Sequence, residues 1–174
     1  SVSDQVLVDC SSERPYGNHG CNGGLLDNAF KYTIDNGLCD ESDYPYDMEK
    51  NDCKANSCVP KIKINKCFDV PKNNELAMKE AVSIQPVSVA IEADSVYFQS
   101  YKSGVITGDV CGTNLDHGVL VVGYGTENGV DYWLVKNSWS SSWGDQGYVK
   151  IERSDSTNSP GVCGIAMQPS YPSF

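Results

Sequence analysis

Apolar positions recur with a helical period in the early part of the chain and alternate with polar ones in its later part. Leu26, Ala29, Phe30 and Ile34 fall on one helical face and Gly37 offers a left-handed stop, so the pattern predicts a helix over 24–36. A shorter helix is predicted from Asp4 to about Val8, ending near Cys10. A third is predicted over about 75–84, after candidate caps at Asn73 and Asn74 and ahead of Pro86. Between the first two, Gly17-Asn18-His19-Gly20-Cys21-Asn22-Gly23-Gly24 reads as a loop whose four glycines permit positive φ and close approach of another backbone, a place to lay an extended peptide. The stretch from 38 to 75 is broken by Pro45, Pro60 and Pro71, with one strand expected at 61–66. Segments 87–91, 117–124, 131–136 and 147–152 are rich in Val, Ile, Tyr and Trp, are separated by Gly, Asn and Asp turns, and read as strands. This change of character near residue 67 predicts a helical part over 1–67 and a β-rich part over 68–174, an α+β chain without internal repeats.

Composition narrows the picture. With 174 residues, 40% hydrophobic and 21% charged, the chain has the makings of a globular core. No apolar run approaches the roughly 18 residues of a membrane helix, and the polar start carries no signal-peptide pattern, so a soluble, mature or truncated chain is expected. A net charge of −10, with only 13 scattered Lys and Arg, argues against nucleic acid, whose phosphates demand a basic face. Eight cysteines point to an oxidising compartment: lysosomal, vacuolar or extracellular. Zinc is disfavoured, because only Cys53 and Cys58 approach ligand spacing and the chain has two histidines, so no metal site is expected. Gly123-Tyr124-Gly125 does not open a nucleotide loop, since the third glycine of that pattern would fall on Asn128.

The candidate chemistry is a histidine with an asparagine. Imidazole exchanges protons near neutrality and, when cationic, lowers the pKa of a neighbouring thiol. His117 enters an apolar strand, and Asn137 ends the Tyr132-Trp133-Leu134-Val135-Lys136 strand, where its side-chain carbonyl could orient the ring as the third member of a nucleophile, base and orienter set. The plain alternative is a histidine at a strand edge and an asparagine in a turn.

Context favours the first reading. Gly20-Cys21-Asn22-Gly23-Gly24, Leu115-Asp116-His117-Gly118, and Lys136-Asn137-Ser138-Trp139 with Ser142-Trp143-Gly144 and Gly147-Tyr148 occur in this order. Together they resemble the papain-like cysteine peptidases, in their cathepsin L and plant vacuolar branch. The likeness runs from Ser3-Asp4-Gln5 and Leu7-Val8-Asp9-Cys10 to Gly161-Val162-Cys163-Gly164 and Ser170-Tyr171-Pro172. It implies a two-domain fold with a helical left domain, here incomplete, and an antiparallel, β-barrel-like right domain. It makes His117 the general base and acid, Asn137 its orienter and Trp139 the indole that shields their hydrogen bond. Gly23 and Gly24 would pair with extended substrate. Leu25, Leu26, Ala90, Leu115 and Gly118 would line the pocket for the residue two before the scissile bond, with Gln168 at its far end, and Asp116 would also bind substrate. Read without the resemblance, Leu25, Leu26 and Ala90 are core residues and Gln168 is surface. The implied partners are peptide or protein substrates, a propeptide and cystatin-like inhibitors, with no cofactor.

The chain departs from the family pattern in three ways. The reactive Cys should lie about 130 to 150 residues before the His and Asn in a C-G-[SA]-C-[WY] run; no such run occurs, and the count leads ahead of Ser1. The nucleophile and the oxyanion-binding Gln are therefore expected upstream, which leaves this chain inactive by itself; the rival is a non-catalytic relative that binds peptides or a partner protein. Ser140 stands where the family usually has Gly. The resemblance pairs Cys10 with Cys53 and Cys111 with Cys163, and gives Cys21 an upstream partner; Cys39, Cys58 and Cys67 are extra, so at least one free thiol is expected.

Overall fold

A computed structural model describes residues 1–12, 14–108 and 110–174. The chain forms two compact units, one of residues 1–68 with 172–174 and one of residues 69–171.

In the first unit, α1 (Asp4–Cys10) starts where Ser3 Oγ accepts the Val6 N–H, satisfying one of the orphan donors of a helix N-terminus. Helix α2 (Leu26–Asn36) begins two residues later than the apolar period suggests, because Leu25 is extended and donates its N–H to Asn18 Oδ1 at 2.9 Å. It ends at Gly37, whose φ of +76° only glycine adopts without strain. The strand expected at 61–66 is not there. Ile64 is buried, but among the described residues the segment makes an isolated bridge between Leu38 and Ile62 and one further bond, from the Asn65 N–H to Ser173 O at 2.8 Å, so no ladder forms ahead of β1 (Lys66–Asp69).

The core of this unit is small: Val6, Cys10, Tyr32, Leu38, Cys39 and Tyr44. Disulfides Cys10–Cys53 and Cys39–Cys58 reinforce it, as expected where little apolar surface is available. The second bridge takes up two of the three extra cysteines and occupies Cys58, while the first occupies Cys53. Beside them, Asp9 is buried but satisfied, accepting from Gln5 Nε2 at 2.9 Å, the Tyr44 hydroxyl at 2.8 Å and the Asn51 N–H at 2.8 Å.

The second unit contains α3 (Glu75–Val82), β2 (Val87–Ile91), α4 (Val96–Gln99), β3 (Val105–Ile106), β4 (His117–Glu127), β5 (Val130–Lys136) and β6 (Tyr148–Glu152); β7 (Ser170–Ser173) leads out of it. The strand order is β7-β2-β4-β5-β6-β3, with β1 outside β7. The β2, β4, β5, β6 neighbours and the β2–β7 pair are antiparallel, whereas β3 runs parallel to β6, so the sheet is mixed. Helix α3 stops short of 84 because Ile84 is 84% exposed and gains nothing from helical register. β4 runs three residues past 124, since Asn128 and Gly129, both at positive φ, make a two-residue turn that lets Glu127 pair with Val130.

One sheet face is the core. Val87, Val89 and Ile91 of β2, Val119 and Val121 of β4, Trp133 and Val135 of β5, and Val149 and Ile151 of β6 are all buried, and Met78 and Val82 of α3 join them. Glu75 locks α3 to this layer. Fully buried, its carboxyl group accepts from Trp133 Nε1 at 3.0 Å and from the N–H and hydroxyl of Ser154. A second polar tie runs beside it: Arg153, its side chain 4% exposed, packs near the Tyr124 and Trp133 rings and pairs with Asp131 and Asp155, and Asp155 also meets Lys79. Burial works to raise the Asp155 carboxyl, but hydrogen bonds from Arg153 and Lys79 outweigh it and hold it below the ordinary carboxylate value. A depressed carboxylate contributes stability above its unfolded pKa and loses it as pH falls through the folded one, so this tie loosens only in acid.

Glu75→Ala should lower unfolding stability by about 1–3 kcal/mol, because it strands the indole N–H of the fully buried Trp133; a change under about 0.5 kcal/mol in denaturant titration would refute the lock. In the 174-residue chain, alkylation without reductant should label the exposed Cys21, with protection of Cys10, Cys53, Cys39, Cys58, Cys111 and Cys163. A protected Cys21 in monomer would contradict the pairing.

Candidate functional site

The site grows out of the register between β4 and β5. Val121 pairs with Val135, yet Gly123 pairs with Leu134, so Val122 is an extra residue, a β-bulge. Beyond the bulge Leu120 sits opposite Lys136, and continuing that register sets position 119 against 137 and position 117 against 139. His117, Asn137 and Trp139 thus share the inner face with Val119 and Val135. Without the bulge, position 137 would pair with 120, and 117 and 119 of β4 would fall on the face opposite Asn137. These residues lie at the end of the core row, where Ile91 of β2 is the partner of His117.

His117 Nε2 lies 2.8 Å from Asn137 Oδ1. The same oxygen accepts the Ser138 N–H at 2.8 Å, which fixes the amide orientation because a backbone N–H can only donate. Oδ1 can only accept, so Nε2 is the donor, and in the neutral ring the lone pair rests on Nδ1. Asn137 is held in turn by its own N–H on Gly147 O at 2.9 Å, and it is 7% exposed. The Trp139 ring stacks on the imidazole, with centroids 4.9 Å apart and planes at 29°. It is wedged edge-on against Phe98 and Trp143, and Trp143 Nε1 donates to Gln99 O at 3.0 Å. Phe98, buried on α4, is a support that a four-residue helix with no periodic signal did not reveal.

The segment entering β4 is braced separately. Asp116 donates its N–H to Ile91 O at 3.0 Å and its Oδ1 accepts the Ala93 N–H at 2.8 Å. Glu92 accepts from Gly112 at 2.7 Å and Asn114 at 2.5 Å, while its own N–H donates to Cys163 O at 2.9 Å, next to the Cys111–Cys163 bridge. Ala90 and Gly118 are cross-strand partners, Ala90 and Leu115 are half-buried, and Gln168 is exposed ahead of β7. In the first unit, Gly23, Gly24, Leu25 and Leu26 line one cavity of about 210 Å³. Leu25 is 61% exposed and Leu26 half-buried, which corrects the reading of both as core: each sits at the helix start, away from its buried face. A side chain at Gly24 would collide with Asn18, whose Oδ1 holds Leu25. Ser140, in the place of a glycine, has φ of +69°, a left-handed conformation that costs a non-glycine residue about 1–2 kcal/mol, and its hydroxyl bonds Ser142 Oγ at 2.7 Å. Among the described residues no cluster of His, Cys, Asp and Glu could hold a metal ion.

Residues 1–173 match the family described as papain family cysteine protease. A germination-specific cysteine protease of Arabidopsis thaliana is 52% identical over 176 residues, covering 99% of this chain and 45% of that protein. The chain spans about half the length of the curated relatives it matches. The bromelain protease of Ananas comosus, solved in complex with the E64 inhibitor, superposes with a TM-score of 0.91 at 43% identity, over 99% of this chain and 78% of that one. A cysteine protease that is a major ragweed pollen allergen, solved in its proform, gives 0.92 at 40% identity, over 100% of this chain and 52% of that one.

The tautomer is directly testable. Long-range nitrogen–proton correlation spectra should show neutral His117 protonated on Nε2, and Asn137→Ala should turn it into a tautomer mixture. A neutral ring protonated on Nδ1 in the unsubstituted protein would overturn the hydrogen-bond assignment.

Proposed function

The chain belongs to the papain family of cysteine proteases, and on that premise we propose that the intact protein is a cysteine endopeptidase working through an acyl-enzyme. What carries this reading is His117 held by Asn137 beneath Trp139. The unit that contains them offers no thiol, since Cys111 and Cys163 are joined to each other; the nucleophile is assigned to a segment ahead of Ser1, in keeping with the greater length of the relatives.

His117 Nδ1 takes the thiol proton, and the thiolate adds to the scissile carbonyl. Collapse of the tetrahedral adduct breaks the C–N bond as the imidazolium returns that proton to the leaving amine, giving a thioester. Water then gives its proton to His117 as it attacks the thioester, and the thiol leaves with the acid as product. Asn137 keeps the ring in the tautomer this needs, and Trp139 keeps water from competing for their bond. For substrate, the first unit offers Gly23, Gly24, Leu25 and Leu26, and the second offers Ala90, Leu115, Asp116, Gly118 and Gln168. Within the second unit, Ala90, Leu115 and Gly118 are apolar or small and Gln168 carries no charge, so an aliphatic or aromatic side chain is preferred two residues before the cut. A propeptide and cystatin-like inhibitors are the expected protein partners, the first supported by the proform of the ragweed relative. The disulfides favour a vacuolar, lysosomal or extracellular setting, and among the described residues no helix is long and apolar enough to cross a membrane.

The full-length protein should cleave a fluorogenic dipeptide substrate with Leu in the second position before the cut faster than one with Arg, and Gln168→Glu should raise tolerance for Arg. His117→Ala should remove essentially all turnover. The 174-residue chain alone should fall about a million-fold below the full-length enzyme, the typical cost of losing a nucleophile. Full-length protein that binds peptides without cleaving them would favour the non-catalytic reading, and epoxide-sensitive turnover by the 174-residue chain would place the nucleophile among its own cysteines.

A further inference from the structure

Residues 112–116, which lead into His117, have no strand beside them among the described residues, because the pairing of β2 with β4 ends at Ile91 and His117. We infer that the Glu92 carboxylate takes the place of the missing strand edge and is a positioning residue for His117, setting where the imidazole stands during catalysis. The inference rests on the peptidase reading and extends it to a residue outside the set of His117, Asn137 and Trp139.

Three alternate residues, Gly112, Asn114 and Asp116, aim their N–H groups at the same end of β2, as along a strand edge. Asp116 reaches the last carbonyl of β2, Ile91 O, at 3.0 Å. Past Ile91 the backbone takes another partner, with the Glu92 N–H on Cys163 O at 2.9 Å, and the Glu92 side chain reaches across to the segment instead. One carboxylate oxygen accepts from Gly112 at 2.7 Å and the other from Asn114 at 2.5 Å. Two charge-assisted bonds thus carry the ladder two rungs beyond its last backbone pair. Glu92 is itself held firmly, since Ile91 and Ala93 on either side of it are buried. Gly112 is fitted to the carboxylate: a Cβ there would come within 2.8 Å of Glu92 Oε2. With these two rungs gone, Asp116 would be the remaining hydrogen-bonded tie between the segment and residues 91–93 among the described residues, through its N–H on Ile91 O and its Oδ1 on the Ala93 N–H. His117 follows directly, and proton transfer is steep in distance: a misplacement of about 1 Å can cost about a hundredfold in rate.

The experiment uses the full-length activated protein and a fluorogenic dipeptide substrate, at a temperature well below the unfolding midpoint of each variant. Glu92→Ala should lower kcat about tenfold while KM stays within about threefold, the split expected when only the transition state loses support. Glu92→Gln keeps an acceptor for one amide and turns an NH2 group toward the other, so its kcat should fall between those of Glu92→Ala and the unsubstituted enzyme. Gly112→Ala pushes the carboxylate aside without removing it and should repeat the loss seen in Glu92→Ala. Hydrogen exchange at the Gly112 and Asn114 amides should quicken in Glu92→Ala. A merely structural clasp would lower the unfolding midpoint and leave kcat unmoved. If Glu92→Ala does not fold, Glu92→Gln and Gly112→Ala decide. A loss confined to KM, or kcat within about twofold of the unsubstituted enzyme in every variant that folds, would overturn the inference. Either of those outcomes beside normal turnover by the unsubstituted enzyme sinks this inference alone; no turnover of any substrate by that enzyme sinks the peptidase assignment and this inference with it.

Discussion

One extra residue in a strand sets the chemistry of this protein. The bulge at Val122 shifts the pairing of β4 and β5 by a single position, and because side chains alternate faces, that shift puts His117 on the same face as Asn137. The consequence is that an imidazole, its acceptor and a covering indole stand in one row at the rim of an apolar face. Hydrophobic burial of Val119, Val121, Trp133 and Val135 enforces the register more strongly than the polar contacts could. Slippage of β4 by one residue would bring Val119 and Val121 out of the core together, so the energy of packing also holds the hydrogen bond in place.

The two units reach compactness differently. The first has few apolar residues to bury and relies on two disulfides and the buried Asp9 carboxyl with its three donors. The second has a continuous apolar sheet face and uses buried polar groups to select one arrangement. Glu75 reaches donors on Trp133 and Ser154, and Arg153 spans Asp131 and Asp155, so the helix can sit on the sheet in only one way. Each of these groups would be costly to bury alone; Glu75 draws its donors from Trp133 and Ser154, far along the chain, while Arg153 pairs with the distant Asp131 and with Asp155 two residues away.

Legibility in the sequence followed signal length. β2 matches its expected bounds, and β4, β5 and β6 were evident from alternation over five residues or more. The segment at 61–66 alternated equally well and failed, because a strand is a property of two segments and only one bridge was on offer. β3 and α4, two and four residues long, carry too few positions to show a period, and Pro172 obscured β7. His117, Asn137 and Trp139 stood out as a spaced motif. Phe98 did not, since it is an ordinary core aromatic until folding sets it edge-on against Trp139. The Cys39–Cys58 bridge was beyond sequence reasoning for a related reason: three surplus cysteines allow several pairings, and only the fold brings these two Cα atoms to 6.0 Å.

The segment leading into His117 is fastened twice, by the Cys111–Cys163 bridge and by the Glu92 carboxyl group that clasps the Gly112 and Asn114 amides. The two fastenings answer to different chemistry. Reducing surroundings open a disulfide but leave a carboxylate's hydrogen bonds intact. Glu92 offers a clasp that no reductant can open, so Asp116 and the imidazole behind it keep their footing even if the sulfur link is severed.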